Sequence, residues 1–304
     1  TLVFTQLLFL SASLLNCQVA AGYSFQAYGE RRDCVNLEGN GVVISEEQHL
    51  GSLHFKVETS TATYFIEKQS GGCSSLLDKE GRDWVAFRLT GTDGPTLSSD
   101  SDYRGIPNLV FRDPGNGIGH PGFSMCETVR LSENELEVRS LDKLWQFSWI
   151  FHDTHAEIVI EKTDTSRAYW FLYEGPVAGK FGPEQHYWGN DVDGLRTDAP
   201  NIFKDPASGN WQWAFFGDTG VTPTLFVAQK LKDELDDFFC YMGNNAEQGN
   251  TSENGMNVFG FGRSLKTEPL LTGTNRFYIG FYPHQASDKK AVEDLNQYIR
   301  QIMK

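Results

Sequence analysis

The sequence predicts an all-β protein: a large antiparallel β-sandwich with one C-terminal helix. Three observations support this prediction. The chain has 304 residues, of which 30 are glycine, 11 are proline and 13% are aromatic, a composition typical of many turns between aromatic-rich strands. Apolar and polar residues alternate in many short segments. Apolar residues recur at helical spacing most clearly in one segment, near the C-terminus.

The N-terminal segment is typical of a secretory signal peptide. Residues 2–15 are apolar or small and uncharged, and small residues at 19–21 suit a cleavage site. The apolar run is shorter than the about 20 residues that cross a bilayer as a helix. We therefore expect a signal peptide over 1–21, a secreted or periplasmic protein, and no integral membrane span. Whether Cys17 is lipidated is left open.

Strands are predicted where apolar and polar residues alternate. In the segment 156–161, the apolar side chains fall on one face and two glutamates fall on the other. Glycine-rich and proline-rich breaks separate these segments. The further predicted strands are 53–57, 62–67, 83–88, 126–131, 135–139, 145–149, 168–174, 211–216, 224–229, 235–241, 256–261 and 276–282.

A helix is predicted from Asp288 to Met303. Its apolar residues with helical spacing are Val292, Leu295, Ile299 and Ile302. The sequence shows neither a linker rich in proline and serine nor a repeat of 20–50 residues. We therefore expect a single β-sandwich domain over 22–304.

Charge and cysteine content limit the classes of partner and the stabilising bonds. The 40 acidic and 26 basic residues give a net charge of −14, which argues against binding to nucleic acid. Besides Cys17, four cysteines are present, an even number for an oxidising compartment. Two disulfides and buried free thiols are both compatible with the sequence. The four are Cys34, Cys73, Cys126 and Cys240.

The segment 63–81 resembles the opening hairpin of galactose-mutarotase-like β-supersandwiches. In that superfamily a strand runs into Gly-Gly, here Gly71-Gly72, and a second strand is followed by Asp-x-x-Gly, here 78–81. Residues 103–109 and 119–122 resemble the stretch that brings a Gly-x-Pro turn toward the sugar cleft. The superfamily includes aldose epimerases and the sandwich domains of polysaccharide lyases and glycosidases. The resemblance therefore implies a supersandwich fold and, for a secreted member, action on polysaccharides.

The segment 173–194 holds the densest group of candidate binding residues. It is polar and rich in glycine, so we expect a loop outside the core. Aromatic rings stack on sugar rings, while amides and carboxylates bind hydroxyl groups. An ordinary loop whose aromatic residues cover the sheet edge is the alternative. The predicted sugar-binding residues are Glu174, Trp188, Asn190 and Asp191, beside the candidate catalytic residues His186 and Tyr187.

Two further segments supply candidate cations and a histidine. His120, between glycine and proline residues, is expected on an exposed turn with a pKa near neutrality. Arg104, next to Tyr103, could clamp a carboxylate or pair with an aspartate of 98–102. Arg263 follows glycines that allow close approach of a ligand, although a β-bulge with a surface arginine explains it equally well.

Together with the resemblance, these residues predict a polysaccharide lyase that cleaves a uronate-containing glycan by β-elimination. The reaction needs a neutralised carboxylate, a base and an acid. The net charge opposes an anionic substrate unless the cleft is locally basic or salt screens the field. The candidates are Arg104, Asn190 or Arg263 for neutralisation, His120 or His186 for the base, and Tyr187 or Tyr103 for the acid.

Three alternatives to the lyase remain open. The first is a glycoside hydrolase with paired carboxylates, drawn from Glu174, Glu184, Asp191 and Asp193. The second is a non-catalytic carbohydrate-binding protein that uses the same aromatic residues. The third is sugar epimerisation. In each case the expected partner is a polysaccharide or an oligosaccharide.

No cofactor and no catalytic metal are predicted. His152 and His155 flank Asp153, but residues at i and i+3 of a strand do not share a face, so we expect no metal site there. His54 and His155 are expected on solvated strand faces. A structural calcium ion is left open, because acidic loops such as 98–102 could supply oxygen ligands.

Overall fold

The computed structural model describes residues 41–85, 107–113, 117–176, 185–201, 204–242, 256–266 and 268–304. The strands in these ranges form three antiparallel sheets, and one α-helix follows them. The predicted all-β sandwich with a C-terminal helix is therefore confirmed. The signal peptide predicted over 1–21 lies outside the described residues, as do the acidic loop 98–102, Tyr103 and Arg104.

The first sheet has four strands that pair in chain order. They are β1 (Val43–His49), β2 (Ser52–Glu58), β3 (Thr63–Glu67) and β4 (Cys73–Leu77). β3 and β4 form the hairpin that the resemblance implies. Gly71 in its turn has φ +71° and would place a Cβ atom 2.2 Å from Val138, so only glycine fits there.

The other two sheets have six and nine strands. The six-stranded sheet consists of β5 (Asn108–Asp113), β6 (Gly117–Gly119), β11 (Tyr169–Gly175), β14 (Ala207–Gly209), β17 (Asp237–Met242) and β18 (Met256–Phe261). The nine-stranded sheet consists of β7 (Cys126–Arg130), β8 (Glu135–Ser140), β9 (Gln146–Phe151), β10 (His155–Lys162), β12 (His186–Asn190), β13 (Gly194–Arg196), β15 (Trp213–Asp218), β16 (Thr224–Gln229) and β19 (Asn275–Tyr282). Its order is β13-β12-β15-β16-β19-β10-β9-β8-β7.

The main hydrophobic cluster takes side chains from all three sheets. Tyr64 comes from the four-stranded sheet, Trp149 from the nine-stranded sheet and Phe171 from the six-stranded sheet. The apolar face of β10 also belongs to it, as the alternation in 156–161 predicts. The opposite, outer face of the nine-stranded sheet is therefore the face that carries the polar residues of β10.

The helix α1 (Lys289–Ile302) covers part of that outer face. Its N-cap residue Asp288 accepts a hydrogen bond from the amide of Ala291 at 2.9 Å. Val292, Leu295 and Ile299 are buried in a second cluster with residues of β12, β15, β16 and β19. The predicted helix is thus confirmed. In the described part of the chain, no helix combines the length and the apolar character needed to cross a bilayer.

Some predicted local features are wrong. In the predicted strand 83–88, Asp83 forms only an isolated bridge with Leu77, and residues 86–88 lie outside the described residues. His54 is not on a solvated face: it is 0% exposed, and its Nε2 lies 2.8 Å from the Ser74 hydroxyl. Polar partners inside the sheet allow this histidine to be buried.

The three described cysteines are buried free thiols, one of the two arrangements that the sequence left open, and no disulfide joins any of them to another. Cys73 and Cys126 belong to the main cluster, and Cys240 belongs to a smaller apolar cluster. Burial raises the pKa of Cys126 and of Cys240 to about 12. These residues behave as small apolar side chains. Cys34 lies outside the described residues.

Candidate functional site

The segment 186–190 is the buried strand β12 and not the loop that its polar residues suggest. All five residues are buried. The strand pairs with β13 and β15, so neither of its edges is free. Its alternation buries Trp188 in the main cluster and Tyr187 in the cluster under α1. The prediction failed because both faces of this strand are covered, whereas polar composition suggests exposure.

The side chains of His186 and Trp188 both contact the backbone carbonyl of Asp198. The Trp188 indole donates a hydrogen bond to the carbonyl oxygen of Asp198 at 2.9 Å, and Nε2 of His186 lies 3.2 Å from the same oxygen. The Trp188 ring is stacked on Phe239 with centroids 4.0 Å apart, and the Arg196 guanidinium lies 4.5 Å from its centroid. Trp188 is 0% exposed, so its ring offers no face to a sugar.

Tyr187 holds the chain in front of α1. Its hydroxyl lies 2.7 Å from the Thr224 hydroxyl and accepts a hydrogen bond from the amide of Ala286 at 3.0 Å. Burial raises the pKa of Tyr187 above its ordinary value. These contacts give the phenol a structural role in place of the predicted role as proton donor.

Asn190 and Asp191 shape the turn that follows β12. The side-chain oxygen of Asn190 accepts hydrogen bonds from the amides of Val192 and Asp193. A carboxylate oxygen of Asp191 accepts one from the amide of Gln212 at 2.7 Å. The side-chain oxygens of this turn thus accept hydrogen bonds from backbone amides, a structural role in place of binding to sugar hydroxyls.

His120 is buried, and the expected exposed turn is wrong. It caps the 3-10 helix Pro121–Ser124, where its Nδ1 accepts a hydrogen bond from the amide of Gly122 at 2.9 Å. Nε2 lies 3.2 Å from the carbonyl oxygen of Pro107. Burial lowers the pKa of His120 to about 3, so the ring is neutral at pH 7 and not poised near neutrality.

Arg263 and Glu174 are also inside the fold. The Arg263 guanidinium carbon lies 4.7 Å from the ring centroid of Trp170 and 4.4 Å from that of Phe238, and the residue is 8% exposed. Arg263 is therefore not the surface arginine of the alternative, and its guanidinium packs between aromatic rings and not in a ligand cleft. Glu174 is buried in β11. The described members of the predicted site therefore do not meet in an exposed groove.

A cluster that the sequence analysis missed lies on the outer face where β9 turns into β10. His152 and His155 flank a two-residue turn, and their rings are stacked with centroids 4.5 Å apart. Nε2 of His152 lies 3.0 Å from Oε1 of Glu157, and Arg276 donates to Oε2 of Glu157 at 3.0 Å. We call these four residues the His–Glu cluster.

His152 and His155 lie on the same face of the sheet, although residues at i and i+3 of one continuous strand do not. The amide of His152 donates to the carbonyl of His155, so the two residues face each other across a hairpin. Directly opposed residues of an antiparallel pair point to the same side of the sheet. Asp153-Thr154 between two alternating segments is the sequence signal that could have revealed this turn.

Electrostatics within the His–Glu cluster favour a charged Glu157 and a neutral His155. Partial burial opposes ionisation of Glu157, but the hydrogen bond with His152 and the charge of Arg276 outweigh it, so its pKa lies below the ordinary value. Burial, followed by the charge of His152, lowers the pKa of His155 to about 4. His155 is 8% exposed, which corrects its expected place on a solvated face.

A second polar region adjoins β8, β9 and the end of β10. It is a cleft of about 400 Å³, and three of its lining side chains are cations. We call it the basic cleft. Arg139 pairs with Glu137 at 2.7 Å, and Lys162 donates to the carbonyl of Lys143 at 2.6 Å. The lining residues are Glu127, Arg139, Ser140, Leu141, Lys143, Trp145, Gln146 and Lys162.

The comparisons with known proteins give structural matches only. No family model matches the chain, and no curated protein matches it in sequence. Among solved structures, it is similar to a galactose mutarotase-related enzyme from Lactobacillus acidophilus, with 8% identity over 76% of this chain and 98% of that chain and a TM-score of 0.48. A galactose mutarotase-like protein from Lactobacillus casei has 8% identity over 75% and 100%, with a TM-score of 0.47.

The periplasmic domain of YidC from Thermotoga maritima is a further match, with 9% identity over 86% of this chain and 97% of that chain and a TM-score of 0.38. Proteins described as galactose mutarotase-like, the group that the segment 63–81 resembles, are thus among the structural matches. The resemblance to polysaccharide lyases is not shown.

Proposed function

We propose that this protein is a secreted carbohydrate-active protein that binds a uronate-containing polysaccharide in the basic cleft. The observation that carries the proposal is the local charge of the cleft. Three cations, Arg139, Lys143 and Lys162, and one acidic residue, Glu127, line it in a chain whose net charge is −14. The lining of the cleft is therefore net positive, and it offers cations to a polyanion although Glu137 and Glu161 lie beside it.

The side chains of the basic cleft suit carboxylates and hydroxyl groups. Arg139 is 61% exposed and has donors beyond the one that Glu137 occupies. Lys143 is exposed and lies in a turn with φ +63°. Gln146 also lines the cleft, and its amide nitrogen donates to Glu137 and Glu161. A planar arginine fork with nearby ammonium groups is well suited to carboxylates repeated along a chain.

The finer form of the proposal is cleavage of this glycan by β-elimination. Removal of the proton at C5 becomes easier when cations stabilise the negative charge that grows on the uronate carboxylate. The basic cleft supplies those cations, which is the support for a lyase. The base and the acid are not among the described candidates, because His120, His186 and Tyr187 are buried.

Hydrolysis is the second candidate, and a pair of carboxylates beside the cleft favours it. Glu137 and Glu161 both accept a hydrogen bond from the same amide nitrogen of Gln146. Two oxygens that share one donor nitrogen lie no more than about 5.5 Å apart, which allows the separation of about 5–5.5 Å between the carboxyl groups of retaining glycosidases. Ser148 donates to the other oxygen of Glu161 at 3.0 Å.

The test is binding of a uronate polymer, such as polygalacturonate or alginate, to the double variant Lys143→Gln, Lys162→Gln. We expect the dissociation constant to rise about tenfold, because each exposed charge contributes up to about 1 kcal/mol. Binding should also weaken with salt, since the Debye length falls to about 10 Å at 0.1 M. The variant Lys204→Gln, Lys289→Gln loses the same charge at exposed sites outside the cleft and is the matched control.

The same samples distinguish the forms of the proposal. Ultraviolet absorbance of unsaturated products indicates a lyase, and new reducing ends without that absorbance indicate a hydrolase. Binding without either product indicates a non-catalytic binding protein. If the cleft variant binds the polymer as well as the control variant does, or if the wild-type protein binds no uronate polymer, the proposed function is wrong.

A further inference from the structure

The His–Glu cluster presents three metal-binding side chains on one surface of the sheet. His155 and Glu157 are two residues apart in β10, so both point to the outer face. The hairpin brings His152 onto the same face. The ligand atoms of these three side chains all lie within 4.8 Å of one another.

An independent observation points to a missing ligand. Nε2 of His155 is buried and has no hydrogen-bond partner among the described residues. The residue is 8% exposed. Its other ring nitrogen, Nδ1, lies 3.3 Å from the hydroxyl of Thr154. Buried polar atoms are nearly always paired, because an unpaired one loses its hydration without compensation. A bound cation would pair this nitrogen.

Glu157 is oriented as a metal-binding carboxylate would be. Arg276 holds Oε2 at 3.0 Å, and this leaves Oε1 on the side of His152. Carboxylates and histidines that bind metals are commonly fixed by such outer hydrogen bonds. The arginine also balances the carboxylate charge before a metal arrives.

The ligand types select the class of metal. Two imidazole nitrogens and one carboxylate oxygen suit zinc and similar transition-metal ions, whereas calcium and magnesium prefer oxygen ligands alone. A tetrahedral zinc ion with bonds of about 2.0–2.1 Å holds its ligand atoms about 3.4 Å apart. The ligand atoms of His152 and Glu157 are already 3.0 Å apart, and all three ligand atoms lie within 4.8 Å of one another, so small side-chain movements separate the set from the tetrahedral spacing.

We propose that His152, His155 and Glu157 bind one divalent transition-metal ion of the zinc class, with a fourth position open to water or to a ligand. This proposal differs from the sequence prediction, which places no metal at His152 and His155. The proposal does not depend on the glycan-binding proposal, because the residues of the His–Glu cluster do not line the basic cleft.

The test is titration of the full chain, freed of metal with a chelator, with Zn²⁺ by calorimetry and with Co²⁺ by visible absorption. We expect one ion per chain and the absorption of a four-coordinate cobalt site. His152→Gln and Glu157→Gln change partly exposed residues and should each raise the dissociation constant about tenfold or more. His155→Gln should do the same, and unfolding without metal shows whether each variant is folded.

His284→Gln is the matched control, because it removes an exposed histidine outside the cluster. It should bind Zn²⁺ as the wild-type protein does. The proposal is overturned if the wild-type chain binds no stoichiometric ion. It is also overturned if His152→Gln and Glu157→Gln bind as tightly as wild type, or if the His284 variant loses affinity equally, since surface histidines would then explain the binding.

Discussion

Replacing Trp188 with alanine is expected to lower the free energy of unfolding by about 3–5 kcal/mol, the usual range for a large buried aromatic residue. The ring is fully buried and stacked on Phe239 at 4.0 Å, and its indole nitrogen bonds the Asp198 carbonyl at 2.9 Å. Removing it leaves a cavity in the main cluster and removes the indole donor from the Asp198 carbonyl, whose remaining partner is Nε2 of His186 at 3.2 Å. Denaturant unfolding of both proteins at pH 7 measures the difference.

The variant Trp188→Phe separates the two contributions. It keeps an aromatic ring against Phe239 but loses the hydrogen bond to Asp198, so we expect a loss of about 1–2 kcal/mol. Binding of a uronate polymer by this variant should equal that of the wild-type protein. If Trp188→Ala instead keeps its stability and loses glycan binding, the structural role is wrong and the sequence prediction of a sugar-stacking tryptophan is right.

The sequence predicts most of the fold because alternation and helical spacing report which face of an element is buried. The segment 156–161 shows its two faces plainly, and Val292, Leu295 and Ile299 mark the buried side of α1. The opening hairpin, in contrast, is what the resemblance carried by Gly71-Gly72 and the Asp-x-x-Gly at 78–81 implies. The periodic signals are local, since they depend on the period of one element and not on its distant neighbours.

The site could not be predicted in the same way, because a polar residue looks alike in sequence whether it is exposed or buried with a partner. His120, His186 and Trp188 are buried, each with a ring nitrogen within 3.2 Å of a backbone carbonyl oxygen 10 to 13 residues away along the chain. Conversely, His152 and Glu157 meet only because a two-residue turn sets the register of β9 against β10. Both facts depend on hydrogen-bond partners and on strand register, which the spacing of apolar residues does not report.

Acid should destabilise this protein measurably through His120. Its pKa is about 3 in the folded protein, against 6.5 for an ordinary histidine, because burial disfavours the charged ring. As the pH falls below 6.5 the unfolded chain takes up a proton that the folded chain does not. The stabilising contribution is therefore complete above pH 6.5 and is lost as the pH falls toward 3. Between pH 7 and pH 4.5 we expect a loss of about 2–3 kcal/mol from this residue, since one pKa unit corresponds to 1.36 kcal/mol.

The variant His120→Asn isolates this contribution. Asparagine can accept the hydrogen bond from the amide of Gly122 as an N-cap residue, but it does not titrate. Other titrating groups act equally in both proteins, so the difference in their pH dependence belongs to His120, whatever stability the variant loses at pH 7. Denaturant unfolding at pH 7 and at pH 4.5 should show a drop about 2 kcal/mol smaller in the variant, while His284→Asn, at an exposed position, should follow the wild-type protein. Equal drops in all three proteins would mean that His120 is solvated and protonates freely in the folded state, as an exposed turn requires.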